Sequence, residues 1–177
     1  MNVFVLCTGR CGSVTFAEAC KHITNYTTGH ESHTKCRGAA RMAYPENHIE
    51  VDNRLVWFVG ALHKKYGKGA FYVHLLRNEE DTAASFAKRA DRGIIAAYKD
   101  AILLRCPGKI PAINICRDYC HTVNENIRYF LQDKPNQMTI DIESAVDVFP
   151  EFWKRIGAEG DLDAALLELQ VKHHRSV

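Results

Sequence analysis

Three short stretches carry residue types suited to chemistry on an anion. Thr8-Gly9-Arg10-Cys11-Gly12-Ser13 combines two glycines, a guanidinium and two hydroxyls. Glycines let backbone N–H groups close on a phosphate, Arg10 adds a planar fork of donors, and Ser13 adds a hydroxyl. Arg77 and Ser85 form a second pair, a guanidinium and a hydroxyl separated by seven residues. The third stretch, Gly29-His30-Glu31-Ser32-His33, offers proton acceptors: one carboxylate and two imidazoles. Two further groupings, His30-x2-His33-x2-Cys36 and Cys116, Cys120 and His121, lack a zinc spacing, so no metal is expected.

Elements must aim these side chains. The apolar run Val3 to Cys7 breaks at Gly9 and leads into Ser13 to Ile23, where Val14, Ala17, Cys20 and Ile23 recur at helical spacing. A strand, a glycine loop and a helix are predicted there. In a parallel sheet such a loop presents backbone N–H groups and a helix N-terminus to an anion. A short second strand is predicted at Asn25 to Thr28, a polar stretch from His30 to Glu46, and a helix from Arg54 to Tyr66. Ala70 to Leu76 is apolar except for His74, as in a strand covered on both faces. Asn78 is placed to cap a helix whose first turn holds Glu79, Glu80 and Asp81.

Helices at Ile94 to Cys106 and Ala112 to Leu131 follow, divided by Pro107, Gly108 and Pro111. A last strand at Met138 to Ile142 precedes helices from Ala145 to Ile156 and Leu162 to Gln170. The alternation predicts an α/β three-layer sandwich with a mostly parallel, P-loop-like central sheet and an α-helical insertion before the last strand. Asp52, Asn53 and Arg54 read as a helix cap, and Tyr44, Trp57 and Phe58 as core.

A length of 177 residues fits one domain spanning 1–177. Hydrophobic residues make up 46% and charged residues 25%, which excludes disordered and fibrous classes. The net charge of +2 is too balanced for a chain whose main partner is a nucleic acid or an anionic membrane. Seven scattered cysteines argue for reduced thiols, and no basic, long apolar leader opens the chain. A cytoplasmic location without a membrane span is expected.

Two familiar phosphate loops do not fit. A Walker A loop needs Gly-x4-Gly-Lys before Ser or Thr, whereas Gly9 and Gly12 are too close and no Lys is present. The Cys-x5-Arg-Ser loop of low-molecular-weight tyrosine phosphatases would start at Cys7, but the position five residues on is Ser13 and the arginine is missing. Cys7 is expected as a buried strand-end residue.

Gly9-Arg10-Cys11-Gly12-Ser13-Val14-Thr15 instead resembles the 5′-phosphosulfate loop of the sulfotransferase superfamily. Arg77 and Ser85 match that family's Arg-x7-Ser signature at a strand-to-helix junction, with Glu79 where Pro is usual. The resemblance covers about half the chain and leaves the helical insertion unmatched.

It implies 3′-phosphoadenosine 5′-phosphosulfate (PAPS) as co-substrate and in-line sulfonate transfer without a metal. Gly9, Arg10, Cys11, Gly12, Ser13, Val14 and Thr15 would hold the 5′ end, and Arg77 and Ser85 the 3′-phosphate. Arg10 would also stabilise the leaving oxygen, and the base would be Glu31, with His30 and His33 as alternatives. The acceptor would be a hydroxyl or amine of a small molecule, carbohydrate or lipid, in a pocket shaped by the insertion. The short chain implies an acceptor site that is open or completed by a second copy in a homo-oligomer. In relatives a basic C-terminal loop closes over the phosphates, the part Lys172 and Arg175 would take here; a frayed tail is the simpler expectation. Competing readings are a nucleotide phosphotransferase (a kinase) and a non-catalytic nucleotide-binding module.

Overall fold

The computed structural model describes residues 1–104 and 110–171. Its strands are β1 (Val3–Leu6), β2 (Thr27–His30), β3 (His48–Val51), β4 (Phe71–Leu76) and β5 (Gln137–Asp141). They lie in the order β2-β3-β1-β4-β5, and every neighbouring pair is parallel. Val3 stands opposite Ile49 on one side and Phe71 on the other.

The helices are α1 (Ser13–Cys20), α2 (Val59–Tyr66), α3 (Glu79–Ala87), α4 (Gly93–Ala97), α5 (Ala112–Leu131), α6 (Ala145–Ile156) and α7 (Leu162–Leu169). All four β1 residues are buried, because alternate side chains feed two different cores. On one face Val3 and Val5 meet Phe16 of α1, Phe149 and Phe152 of α6, and Ala165 of α7. On the other, Phe4 and Leu6 meet Leu62 of α2, Phe86 of α3 and Tyr119 of α5. Burying one such aromatic contributes about 1.5–3 kcal/mol. The layers are therefore helix, sheet and helix, as the alternation predicts.

The chain runs from β1 outward to β2, returns through β3, and then crosses to β4 on the other side of β1. Ligands of open parallel sheets sit at the carboxyl edge where the strand order reverses. Leu6 pairs with His74, so the loop after β1 and the junction after β4 leave the sheet side by side there. Caps fix their exits. Asn78 accepts from the Asp81 N–H at 3.1 Å to start α3, with Glu79, Glu80 and Asp81 in its first turn.

Four expectations are corrected. His48–Val51 is a central strand, not part of an unstructured polar stretch. Its two polar side chains are buried and bonded to each other, His48 Nε2 to Glu50 Oε2 at 3.0 Å, which removes the apolar signal. β2 lies two residues later than predicted, which puts His30 at its carboxyl end. The helix predicted from Arg54 opens as a 3-10 turn over Asn53–Phe58 before α2 begins. The helix predicted at 94–106 is α4 followed by a π-helical turn over Tyr98–Ile102, and its remainder reaches residues outside those described.

Candidate functional site

The loop after β1 is built by backbone conformations that few side chains tolerate. Gly9 (φ 82°), Arg10 (φ 57°) and Gly12 (φ 81°) are all left-handed. A Cβ on Gly12 would stand 2.4 Å from Ile142 Cγ1, and one on Gly9 would stand 2.3 Å from Asn53 Nδ2. Tyr119 secures the loop from below, its hydroxyl donating to the Thr8 carbonyl at 2.9 Å. No side chain caps α1 at Gly12, so the first-turn N–H groups are not engaged by a capping side chain. The curl leaves Arg10 half-exposed while Cys7 and Cys11 are buried.

The Arg77 and Ser85 pair meets this loop directly. Arg10 Nε donates to Ser85 Oγ at 3.1 Å, and Arg77 Nη1 lies 3.4 Å from the Arg10 carbonyl. Burial lowers the Arg10 pKa from its ordinary value, and the charges of Arg89 and Arg77 lower it further. Arg77 forms ion pairs with Asp81 and Glu143, each at 4.0 Å. Burial and the like charges of Arg89 and Arg77 thus disfavour a further positive charge at Arg10.

Cys7 is no thiolate nucleophile. Its hydrogen bond to Cys11, together with full burial, holds its thiol well above the ordinary range. The cysteine-phosphatase reading fails on this count as well as on spacing.

The proton-acceptor candidates occupy three different settings. His30 Nε2 is 3.2 Å from Ser13 Oγ, at the start of α1. Glu31 adopts φ 52° and pairs with Arg54 Nη1 at 2.6 Å. His33 stacks on Tyr44 with centroids 4.3 Å apart and planes at 9°, and its Nδ1 is buried without a hydrogen-bond partner. The loop that carries them is pinned by Glu50, which is fully buried and accepts from Ser32 N at 2.8 Å and Ser32 Oγ at 2.5 Å. Bonds from His48 and Ser32 outweigh the opposing, larger effect of burial and keep the Glu50 carboxyl below its usual range.

Of the remaining loop residues, Ser13 and Thr15 are buried and Val14 is half-buried. Thr15 Oγ1 donates to the Val171 carbonyl at 3.3 Å, which turns that hydroxyl toward the end of the described chain. Lys172 and Arg175, the proposed closing residues, lie outside the described residues.

Several contributors were not legible as such. Asp52 accepts from the Arg54 N–H at 2.7 Å, as its capping role predicts, but it also forms a buried ion pair with Arg41. That double hold aims Asn53 at Gly9 and Arg54 at Glu31. Trp57 and Phe58 are 37% and 42% exposed, which corrects their placement in the core; Tyr44 is buried as expected. With Arg54, Ile94, Tyr98 and Ile102 they line an apolar cavity of about 280 Å³. A larger cleft of about 570 Å³ between α2 and the end of α5 is lined by none of the phosphate-loop residues. Among the described residues no three His, Cys, Asp or Glu side chains are grouped to hold a metal, and no helix is long and apolar enough to cross a membrane.

These elements define a parallel α/β fold with a short glycine loop between its first strand and first helix. The fold is shared with a sulfotransferase of known structure. The crystal structure of mouse sulfotransferase SULT7A1 complexed with PAP superposes with a TM-score of 0.63 at 13% identity, over 96% of this chain. The chain spans 64% of the length of that protein. No protein-family model and no curated protein sequence matches.

Proposed function

We propose that the chain binds PAPS and transfers its sulfonate to a hydroxyl or amine of a small acceptor. The observation that carries this is the convergence of Arg10, Arg77 and Ser85 at the switch point of the sheet. Fit supports it: the left-handed glycines leave room for backbone N–H groups to face the 5′ end, and the guanidiniums supply the charge a 3′-phosphate needs.

PAPS brings an activated sulfonate, and the protein's task is alignment and charge stabilisation. A bond forms between the acceptor oxygen or nitrogen and sulfur as the bond from sulfur to the 5′-phosphate oxygen breaks. The electron pair goes to that phosphate, where Arg10 and the loop N–H groups stabilise it. The acceptor's proton goes to Glu31, which Arg54 holds in place. His30 is the nearest rival, already bonded to Ser13.

Arg54 also belongs to the apolar cavity, so that cavity opens beside the base. Its lining favours an acceptor with an apolar, ring-sized body over a carbohydrate. The insertion supplies Ile94, Tyr98 and Ile102 of that lining.

Isothermal titration with 3′-phosphoadenosine 5′-phosphate (PAP) tests the reading. Saturable binding is expected, tighter than that of ATP with magnesium. Absence of binding at millimolar PAP overturns it, and tighter, magnesium-dependent ATP binding would instead favour phosphoryl transfer.

A further inference from the structure

We infer that the cleft between α2 and the end of α5 is a binding site for a neutral saccharide, separate from the nucleotide site. The inference does not depend on the PAPS reading. The cleft, about 570 Å³, is of the size that small-molecule sites take, and it shares no lining residue with the apolar cavity beside Glu31. It also lies toward the other edge of the sheet: the end of α5 leads into the start of β5, whereas the loop after β1 leaves from the carboxyl edge.

Its lining combines aromatic rings with groups that both donate and accept. Phe130 is held by three neighbours: Tyr72 meets it edge-on at 5.3 Å, His63 edge-on at 6.4 Å, and the Lys134 ammonium sits 4.6 Å from its centroid. Tyr129, beside it on α5, is 75% exposed. The side chains of Asn126, Tyr129 and Gln132 line the cleft with no bond to another described residue, and His63 adds an imidazole. Amides, a phenol and an imidazole each offer a donor and an acceptor. Gly60 forms part of the facing wall. It lies inside α2, where glycine is less favourable than alanine, yet nothing stands within 4 Å of the Cβ it lacks. No packing among the described residues calls for that glycine; its effect is to keep the wall low.

These groups select the ligand by chemistry. Lys134 is only 6% exposed, and its ammonium is satisfied by the Phe130 carbonyl at 3.0 Å and by the Asp133 carboxylate. That pair neutralises itself, so a charged ligand finds no buried counter-charge waiting. A wholly apolar ligand would cover the amides and the phenol and leave them without partners. A saccharide meets both demands: its hydroxyls donate and accept, and the C–H face of its ring lies against an aromatic ring. Tyr129 and Phe130 supply the ring surface, Asn126, Gln132 and the second oxygen of Asp133 the hydrogen bonds, and the gap at Gly60 the depth.

The test follows backbone amide NMR shifts while the full chain is titrated, up to tens of millimolar, with methyl glucoside, methyl galactoside, methyl mannoside, maltose, cellobiose and lactose. Glucose 6-phosphate and indole serve as an anionic and an apolar probe. At least one neutral sugar is expected to bind saturably, with shifts centred on Gly60, His63, Asn126 and Gln132 and none at residues 9–13. Tyr129→Ala should weaken it about tenfold and Gln132→Ala by a smaller factor, each with an unchanged melting temperature. Gly60→Ala should also weaken it while melting no lower than wild type, which separates filling the cleft from damage to the fold. No binding by any neutral sugar, shifts centred elsewhere, tighter binding of glucose 6-phosphate or indole in this cleft, or an affinity that survives both Tyr129→Ala and Gly60→Ala overturns the inference. PAP binding is a separate titration, whose failure overturns the PAPS reading and leaves this one standing.

Discussion

Arg10 and Ser85, 75 residues apart in sequence, are joined by a 3.1 Å hydrogen bond from guanidinium to hydroxyl. The bond ties the loop after β1 to the helix after β4, so the parts read as a 5′ site and a 3′ site form one surface. Parallel pairing of β1 with β4 makes this contact geometrically available. Ser85→Ala removes the acceptor and leaves the guanidinium less ordered. A hydrogen bond to a charged group contributes about 1.5–3 kcal/mol, so PAP affinity is expected to fall roughly tenfold or more with the fold intact. Titration beside a thermal melt checks it; an unchanged affinity removes Ser85 from the site.

Gly12→Ala places a methyl 2.4 Å from Ile142 Cγ1 in a left-handed backbone. Both effects act together, and destabilisation of about 1–3 kcal/mol with loss of nucleotide binding is expected. Gly60→Ala is the control: it lies in α2 with nothing within 4 Å of an added Cβ. That change should stabilise the chain by up to about 1 kcal/mol. Urea denaturation of the two variants separates loop strain from a general effect of added methyls.

Asp52→Ala breaks the buried pair with Arg41 and removes the acceptor for the Arg54 N–H. Leaving a guanidinium unpaired in the interior costs about 3–5 kcal/mol. Because Asp52 orients Asn53 and Arg54, a folded remnant should also lose the Glu31–Arg54 pair. Denaturant midpoints read the first effect. A loss below 1 kcal/mol would mean that the pair behaves like a surface one.

How far this site was legible follows from where its parts lie. Arg10, Arg77 and Ser85 sit beside apolar strands with plain start and stop signals, so their positions were readable. Asn53 and Arg54 depend on β3, whose sequence His48-Ile49-Glu50-Val51 reads as polar although all four residues are buried. Mutual bonding of His48, Glu50 and Ser32 satisfies groups that would otherwise face water, and no local pattern encodes that. Phe58 has the helical spacing of a core residue with Leu55 and Leu62, and Trp57 reads as core as a large aromatic; the 3-10 turn puts both in the cavity wall instead.

His74 sets part of the acid sensitivity. Burial in β4 pushes its pKa down to about 4, against the weaker opposing effect of its bond to Asn124. The unfolded chain takes up this proton near pH 6.5, about 2.5 units higher, so between those values the unfolded state binds more protons. Stability is therefore lost as pH falls from about 6.5 to about 4, by at most about 3 kcal/mol from this residue. His74→Gln should flatten that part of a stability–pH curve measured by urea denaturation. A slope equal to wild type would assign the acid loss in this window to another group; Glu50, its carboxyl held below the usual carboxylate range, acts at lower pH.

Glu31 and His30 compete for the proton of the acceptor, and their surroundings give different outcomes. Arg54 holds the Glu31 carboxylate at 2.6 Å beside the apolar cavity, whereas His30 is bonded to Ser13 at the loop. Glu31→Gln keeps the shape of the side chain and a partner for Arg54 but cannot accept a proton. Removing a general base typically costs roughly 100-fold or more in turnover. The expected result, with the best acceptor from a panel of one- and two-ring hydroxyl compounds, is such a fall in kcat with PAP affinity unchanged. His30→Gln should act the other way round, weakening PAP through Ser13 with a smaller change in kcat. If Glu31→Gln turns over normally and His30→Gln does not, the proton goes to His30, and the Arg54–Glu31 pair is a structural clasp on the cavity wall.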